Sequence, residues 1–244
     1  MTEIGNLWEQ GTPKEIVPGV WAWENCMQVP DGIIDSMNEE VDEWKRQIKE
    51  EGKRDGQYQT AVASGYTGPI RFAPEDDFKK KINHKYLWQI QKNTMNKVAQ
   101  YIEMYPDLEE EIGWFESYQY ISYKPPKHMK YHSDNHAVRN PDTGFMYVTP
   151  YLRRITCLTY LNDDFKGGAL DFRYWQEYGP YKPPAGTTVI MPSGFLWSHA
   201  TTPLLNGRKV AFLVAINSGT NYDAWIQNPD KENMAGRELS LIHI

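Results

Sequence analysis

From Gly113 onward the chain changes character: Tyr, Thr, Val and Phe alternate with polar residues, and Gly or Pro interrupts the run every 8 to 15 residues. Successive side chains of a strand point to opposite faces, so this pattern predicts short strands that each bury one face, closed into a sandwich or barrel. The predicted strands are Trp114 to Tyr123, Tyr131 to Asn135, Arg154 to Leu161, Ala169 to Tyr174, Thr187 to Met191, Leu196 to Ala200 and Lys209 to Asn217. Before Gly113 the period is helical. Ile34, Met37, Val41, Trp44 and Ile48 mark a helix over 31–52, with Asp31 as cap and Gly52 as stop; Leu87, Ile90, Val98 and Ile102 mark a second from Asn83 to Tyr105, ended by Pro106. A polar loop from about Gly52 to Asp77 joins them.

Helices first and strands afterwards predict an α+β fold, a double-stranded β-helix (jelly roll) with the N-terminal helices packed on its outside. With 244 residues, one domain accounts for the whole chain. It divides into helical support over 1–112, a jelly-roll core over 113–220 and an extension over 221–244. The net charge of −6 and the lack of a basic stripe argue against nucleic acid as a partner. The longest purely apolar run, Val210 to Ile216, has seven residues, far short of the ~20 that a membrane helix needs. No signal peptide is visible at the N-terminus, so a soluble cytoplasmic protein is expected. Cys26 and Cys157 are too few for a disulfide framework and sit in apolar surroundings, which predicts buried thiols.

The chemistry-bearing pattern is His132-Ser133-Asp134, followed 67 residues after its first histidine by His199 and ten residues further on by Lys209. Two imidazoles and one carboxylate fix a divalent iron on one face and leave the opposite positions open to exchangeable ligands. If His132 and Asp134 lie on one strand, residues i and i+2 share a face and can grip one ion. A 2-oxo acid would fill two open positions and dioxygen the third, leaving the cosubstrate's far carboxylate to be neutralised in a site that excludes water. Lys209 can do so if the chain turns through Asn206-Gly207 and returns as a strand beside His199. Arg208 is the alternative, since only one of two adjacent strand residues can point into the barrel. His136 forms a His-x-x-x-His pair with His132, which would suit zinc on a helix, but its β-rich surroundings favour a surface or supporting role. His84, His128 and His243 lack partners at ligand spacing and read as surface residues. Arg154 reads as a solvated residue, with an acidic substrate at the barrel mouth as the functional alternative, and Gly167-Gly168 reads as a turn.

Several stretches occur together and in order: Tyr123 nine residues before His132, His132-Ser-Asp134, Arg154-Ile-Thr156-Cys-Leu-Thr-Tyr-Leu161-Asn162, Gly167-Gly168-Ala-Leu, Lys182-Pro-Pro-Ala-Gly186, and His199 with Pro203, Gly207 and Lys209. In this combination, over about Phe115 to Ile216, the chain resembles the prolyl 4-hydroxylase type of Fe(II)- and 2-oxoglutarate-dependent dioxygenase. The resemblance implies iron on His132, Asp134 and His199, the 2-oxoglutarate C5 carboxylate on Lys209, and Tyr123 and Thr156 near the cosubstrate. It also implies O2 as co-reactant, ascorbate as a candidate reductant, and succinate and CO2 as co-products. In the hypoxia-type branch an arginine stands nine residues after the distal histidine, where this chain has Arg208. In the collagen-type branch a lysine stands at ten, as Lys209 does.

The expected activity is therefore hydroxylation of a prolyl residue in a peptide or protein. One departure keeps a rival open. The collagen-type pattern has a peptide-holding tryptophan six residues after the lysine, and this chain has Ala215 there. Hydroxylation of a free amino acid or other small molecule is the alternative within the class, and a non-catalytic metal-binding jelly roll is the alternative outside it. The Asn140 to Pro150 stretch is expected to be a long loop beside the metal.

Overall fold

The computed structural model describes residues 10–50, 66–69, 82–115, 119–135, 138–139, 146–147 and 153–218. In chain order the elements are β1 (Thr12–Val17), β2 (Val20–Glu24), α1 (Ile33–Glu50), β3 (Tyr66–Pro69), α2 (Ile82–Met104), β4 (Trp114–Phe115), β5 (Gln119–Tyr123), β6 (Met129–His132), β7 (Val138–Arg139) and β8 (Met146–Tyr147). They continue with β9 (Arg153–Tyr160), β10 (Lys166–Gly167), β11 (Leu170–Phe172), β12 (Thr187–Pro192), β13 (His199–Thr201), β14 (Leu204–Asn206) and β15 (Lys209–Asn217). The large antiparallel sheet runs β1-β2-β12-β9-β15-β5-β3, with β4 also paired to β15. A three-stranded sheet, β11-β13-β6, and the β10-β14 pair form the smaller layer.

Alternation decides which residues meet. From β9, β12 and β15, one set points to one face: Ile155, Cys157, Ile190, Val210, Phe212, Val214 and Ile216 cluster with Tyr86, Leu87, Ile90, Val98 and Tyr101 of α2. The opposite set, Leu158, Tyr160, Val189, Met191 and Ala211, clusters with Phe165, Leu170, Phe172 and Leu204 from the smaller layer. The central strands are therefore apolar on both faces and carry two cores back to back. Each fully buried large side chain contributes ~1.5–3 kcal/mol of transfer free energy. Two donors trapped on the helix side find partners: the Asn93 amide donates to Thr188 Oγ1 at 3.0 Å and the Trp23 indole N–H to Gln100 Oε1 at 2.8 Å.

The N-terminal part expected to be wholly helical also supplies β1, β2 and β3 to the large sheet. Pro18-Gly19 breaks the Ile16–Trp23 run into two arms whose residues do not alternate, Thr12 to Glu15 being exposed throughout and Val20 to Trp23 an unbroken apolar run, so strand pairing rather than local pattern specifies them. β3 lies inside the loop expected over 52–77, and β8 inside the loop expected over Asn140 to Pro150. The helices start and end within about two residues of the expected bounds. Both cysteines are free and buried. The extension over 221–244 lies outside the described residues, as do His136, His243 and the side chain of His84; His128 is exposed. Among the described residues no helix is long and apolar enough to cross a membrane.

Gly186 joins β2 to the sheet's centre. Its carbonyl accepts from the amides of Cys26 and Met27 at 2.9 and 3.0 Å, and its amide donates to Tyr160 O at 2.8 Å. Its φ is +75°, and a Cβ there would lie 2.0 Å from Met27 O. Gly186→Ala should therefore destabilise the fold by more than the ~1–3 kcal/mol of left-handed backbone strain alone, as measured by urea denaturation.

Candidate metal centre

β13 lies between β6 and β11 and pairs His199 directly with His132. The two rings thereby meet across neighbouring strands, tilted by 54° with centroids 4.5 Å apart. Each ring presents the same nitrogen. His132 Nδ1 lies 2.9 Å from Lys130 O and His199 Nδ1 lies 3.1 Å from Trp197 O. A carbonyl can only accept, so in the neutral rings both Nδ1 atoms carry the proton and Nε2 keeps its lone pair on the side of Asp134.

Asp134 is not on the strand. β6 ends at His132 and Asp134 stands in the bend beyond it, so the i, i+2 argument does not hold here. The carboxylate is brought round by the bend, which is pinned where the Asn135 amide donates to Ser193 O at 2.9 Å. Asp134 Oδ1 then lies 3.4 Å from His132 Nε2, and Oδ2 lies 3.9 Å from His199 Nε2. One donor atom from each residue falls within 4.8 Å of the others.

Burial pushes the Asp134 carboxyl up, but His199, His132 and the Thr156 hydroxyl outweigh it and hold it well below the usual carboxylate range. Burial lowers His199 and keeps it neutral. Burial also opposes charge on His132, but the bond to Asp134 prevails and raises that histidine. Asp134 Oδ2 is buried with no hydrogen-bond partner among the described residues. A buried carboxylate oxygen without a donor is costly, and a divalent cation would satisfy it. Two imidazole nitrogens and this oxygen are the nitrogen and oxygen donors that Fe(II) takes in an open facial site.

Lys209 approaches from the opposite sheet. β15 pairs with β9, β5 and β4, whereas β13 pairs with β11 and β6, so Lys209 does not return as a strand beside His199. The Asn206-Gly207 turn carries the chain from the smaller layer to the large sheet instead, because β14 is already paired to β10. Lys209 is 3% exposed. It shares its face of β15 with Ala211, while Val210 faces α2. Its Nζ donates to Gly168 O at 2.7 Å and lies 5.2 Å from the centre of the Tyr160 ring. Burial brings its pKa down to about 7. Arg208 sits outside, and its positive charge is felt by Tyr120 among the helix-facing residues.

Tyr123 stands directly opposite Lys209 in the β5–β15 register. Its hydroxyl is buried, lies 3.6 Å from Met129 Sδ, and is pushed up to about 12 by burial and by Asp134. Thr156, fully buried, shares a 3.0 Å hydrogen bond with Ser193 Oγ. The large sheet thus brings Lys209, Tyr123 and Thr156 onto the barrel side, facing the two histidines of the smaller layer. Arg154 forms a partly exposed ion pair with Glu111 at 3.2 Å.

Three contributors were missed by the reading of the sequence. Ser193 binds both Thr156 and the Asp134 bend. Gly168 is more than a turn, since its carbonyl receives Lys209. Asn162 brackets Lys209: its Nδ2 donates to Arg208 O at 2.6 Å and its Oδ1 accepts from the Val210 amide at 2.8 Å. The only signal for Asn162 in the sequence is its place at the end of the Leu161-Asn162 motif.

This double antiparallel layer places a His-Asp-His cluster on one side and a buried cation on the other, a donor set that could hold a metal inside a jelly roll. Residues 118–217 match the family model of the 2OG-Fe(II) oxygenase superfamily, which bears out the resemblance carried by the motifs. That superfamily uses Fe(II), 2-oxoglutarate and O2, the cofactor set expected above. No curated protein matches the chain in sequence. Among solved structures it is similar to a Pseudomonas putida prolyl-4-hydroxylase, at 14% identity over 82% of this chain and 93% of that one, with TM-score 0.50. It is also similar to a viral collagen prolyl hydroxylase from Paramecium Bursaria Chlorella virus-1, at 21% identity over 64% of this chain and 81% of that one, with TM-score 0.45. A third is a prolyl hydroxylase from Trichoplax adhaerens in complex with a hypoxia inducible factor peptide fragment, at 14% identity over 65% of this chain and 66% of that one, with TM-score 0.46.

Thr156→Val keeps the volume but removes the hydroxyl shared by Ser193 and Asp134. Urea denaturation should show a loss of ~1–3 kcal/mol, the cost of stranding a buried polar group. A neutral result would mean that Ser193 alone holds the Asp134 bend.

Proposed function

We propose that the chain is an Fe(II)/2-oxoglutarate-dependent dioxygenase that hydroxylates a prolyl residue in a peptide or protein, working as one domain over 1–244 with its N-terminal helices as outer support. The observation that carries this reading is the convergence, inside one apolar barrel, of three metal-type donors with the buried cation Lys209. His132, Asp134 and His199 would hold the metal. Fe(II) bound there would supply oxidising chemistry, coupling the oxidative decarboxylation of 2-oxoglutarate to succinate and CO2 with delivery of one oxygen atom of O2 to a C–H bond.

The protein's own share is geometry and charge. Lys209 would take the C5 carboxylate of 2-oxoglutarate, a charged hydrogen bond of ~1.5–3 kcal/mol, with Tyr123 and Thr156 beside it. The apolar walls, Leu158, Tyr160, Phe172 and Met191 among them, exclude water. A proline-containing partner is supported by the lysine spacing after His199. The β7–β8 hairpin, which follows the Asp134 bend directly in the chain, is in a position to contribute to binding it. Ala215 favours a second reading. It is fully buried, pairs with Thr156 and lies on the barrel side of β15, so no tryptophan stands there to hold a peptide.

Alanine at His132, Asp134 or His199 should abolish iron-dependent succinate formation. Lys209→Ala should raise the 2-oxoglutarate requirement steeply, and Arg208→Ala should change it little. Proline-rich peptides should stimulate turnover above the uncoupled rate and gain the mass of one oxygen. Stimulation by free L-proline or another small metabolite, with peptides inert, would transfer the assignment to the second reading.

The buried Lys209 predicts a pH dependence with a definite sign. With its pKa near 7 in the free protein, the lysine is charged below that value and increasingly neutral above it. A bound carboxylate favours the charged form, so binding above pH 7 takes up a proton. The Kd for 2-oxoglutarate, titrated at saturating Mn(II), should be flat just below pH 7 and weaken by up to about tenfold per unit above it. Lys209→Arg stays charged throughout and should lose that slope; persistence of the slope in this variant would show that another group is responsible.

A further inference from the structure

The tip of the β1–β2 hairpin lies outside residues 118–217, yet it is tied to one of the candidate metal ligands through two hydrogen bonds. The Trp197 indole N–H donates to Pro18 O at 2.8 Å, and the Trp197 carbonyl accepts from His199 Nδ1 at 3.1 Å. The tip is itself fixed from behind, since the Tyr101 hydroxyl of α2 donates to Gly19 O at 2.7 Å. Gly19 has φ +79°, and a Cβ on it would stand 3.4 Å from the Trp197 ring, so the turn and the indole pack face to face. Trp197 closes a single 3-10 turn, Phe195–Trp197, whose first two residues are exposed. Two indoles hold this turn: the Trp175 N–H donates to Leu196 O at 3.1 Å, and Trp197, which supplies the carbonyl to His199, is itself held by Pro18.

We infer that Trp197 is a positioning residue for the metal centre: held by Pro18, it fixes the carbonyl that orients His199, so the N-terminal hairpin is a working part of the site. The inference rests on the proposed metal-binding role of His199. A histidine ligand with an unanchored Nδ1 can rotate about its side-chain bonds and take either tautomer. Groups that receive the outer N–H of a ligating histidine remove that freedom. Here the anchor is a backbone carbonyl, and what holds the carbonyl is an indole bonded to a distant hairpin.

The test measures metal affinity rather than turnover. Mn(II) is titrated into metal-free full-length protein and free Mn(II) is followed by electron paramagnetic resonance, for wild type, Trp197→Phe, Trp23→Phe and His199→Ala. Trp23→Phe is the control, because it also loses a buried indole hydrogen bond, to Gln100, but on the helix side of the sheet. Trp197→Phe should weaken Mn(II) binding about 10–100-fold, the usual effect of removing an outer partner of a metal ligand, while Trp23→Phe stays within about twofold at comparable loss of thermal stability. Tyr101→Phe, which frees the hairpin tip without touching Trp197, should shift the affinity in the same direction by less. Equal affinities in Trp197→Phe and Trp23→Phe, with His199→Ala still losing the metal, would overturn the positioning role and leave the metal site standing. Undiminished binding in His199→Ala would overturn the metal-site reading itself.

Discussion

β9 is hydrogen-bonded on both edges and apolar on both faces, and most of the molecule follows from that. A strand flanked by β12 and β15 cannot reach water at its edges. With Cys157 toward α2 and Leu158 and Tyr160 toward the barrel, it cannot reach water at its faces either. The helices on one side and the smaller layer on the other are the two covers it requires. Polar groups on such a strand survive only with partners, and Thr156 and Thr159 have them in Ser193 and Thr188.

Within that frame the candidate site is a set of polar exceptions to an apolar rule. Asp134 and Lys209 are buried charges contributed from facing layers, one held charged by two imidazoles and the other pushed toward neutrality by its surroundings. Under the proposed function a cation would meet the carboxylate and an anion the ammonium, each offsetting the desolvation of the group it meets.

The period-2 pattern was legible wherever a strand ran long enough to repeat it. Lys209–Asn217 has the expected bounds, and Lys209 rather than Arg208 faces the barrel, as alternation requires. The spacing of His132, Asp134 and His199 was legible as a group, and the fold brings their donor atoms together. What could not be read was whatever depends on pairing rather than pattern. β1 and β2 do not alternate, one being exposed over Thr12 to Glu15 and the other apolar throughout Val20 to Trp23. Asp134 reaches its place through a bend held by a serine 59 residues later, and Leu196, expected in a strand, lies in a 3-10 turn that ends against a hairpin from the other end of the chain. The sheet to which β15 belongs was misjudged for the same reason. Asn206-Gly207 looks like a hairpin turn in sequence, but β14 had already found its partner in β10.

The pleat of β9 also separates two kinds of reactivity. Thr156 faces the barrel, and Cys157, its chain neighbour, faces the helices, fully enclosed and with its thiol pushed far above the normal range. An oxygen-using pocket endangers nearby sulfur, because thiolates are the form that oxidants attack. One step of backbone places the thickness of a sheet between Cys157 and the site and holds its sulfur in the protonated, inert state. The alternation that builds the two cores thereby also keeps the thiol of Cys157 off the barrel side.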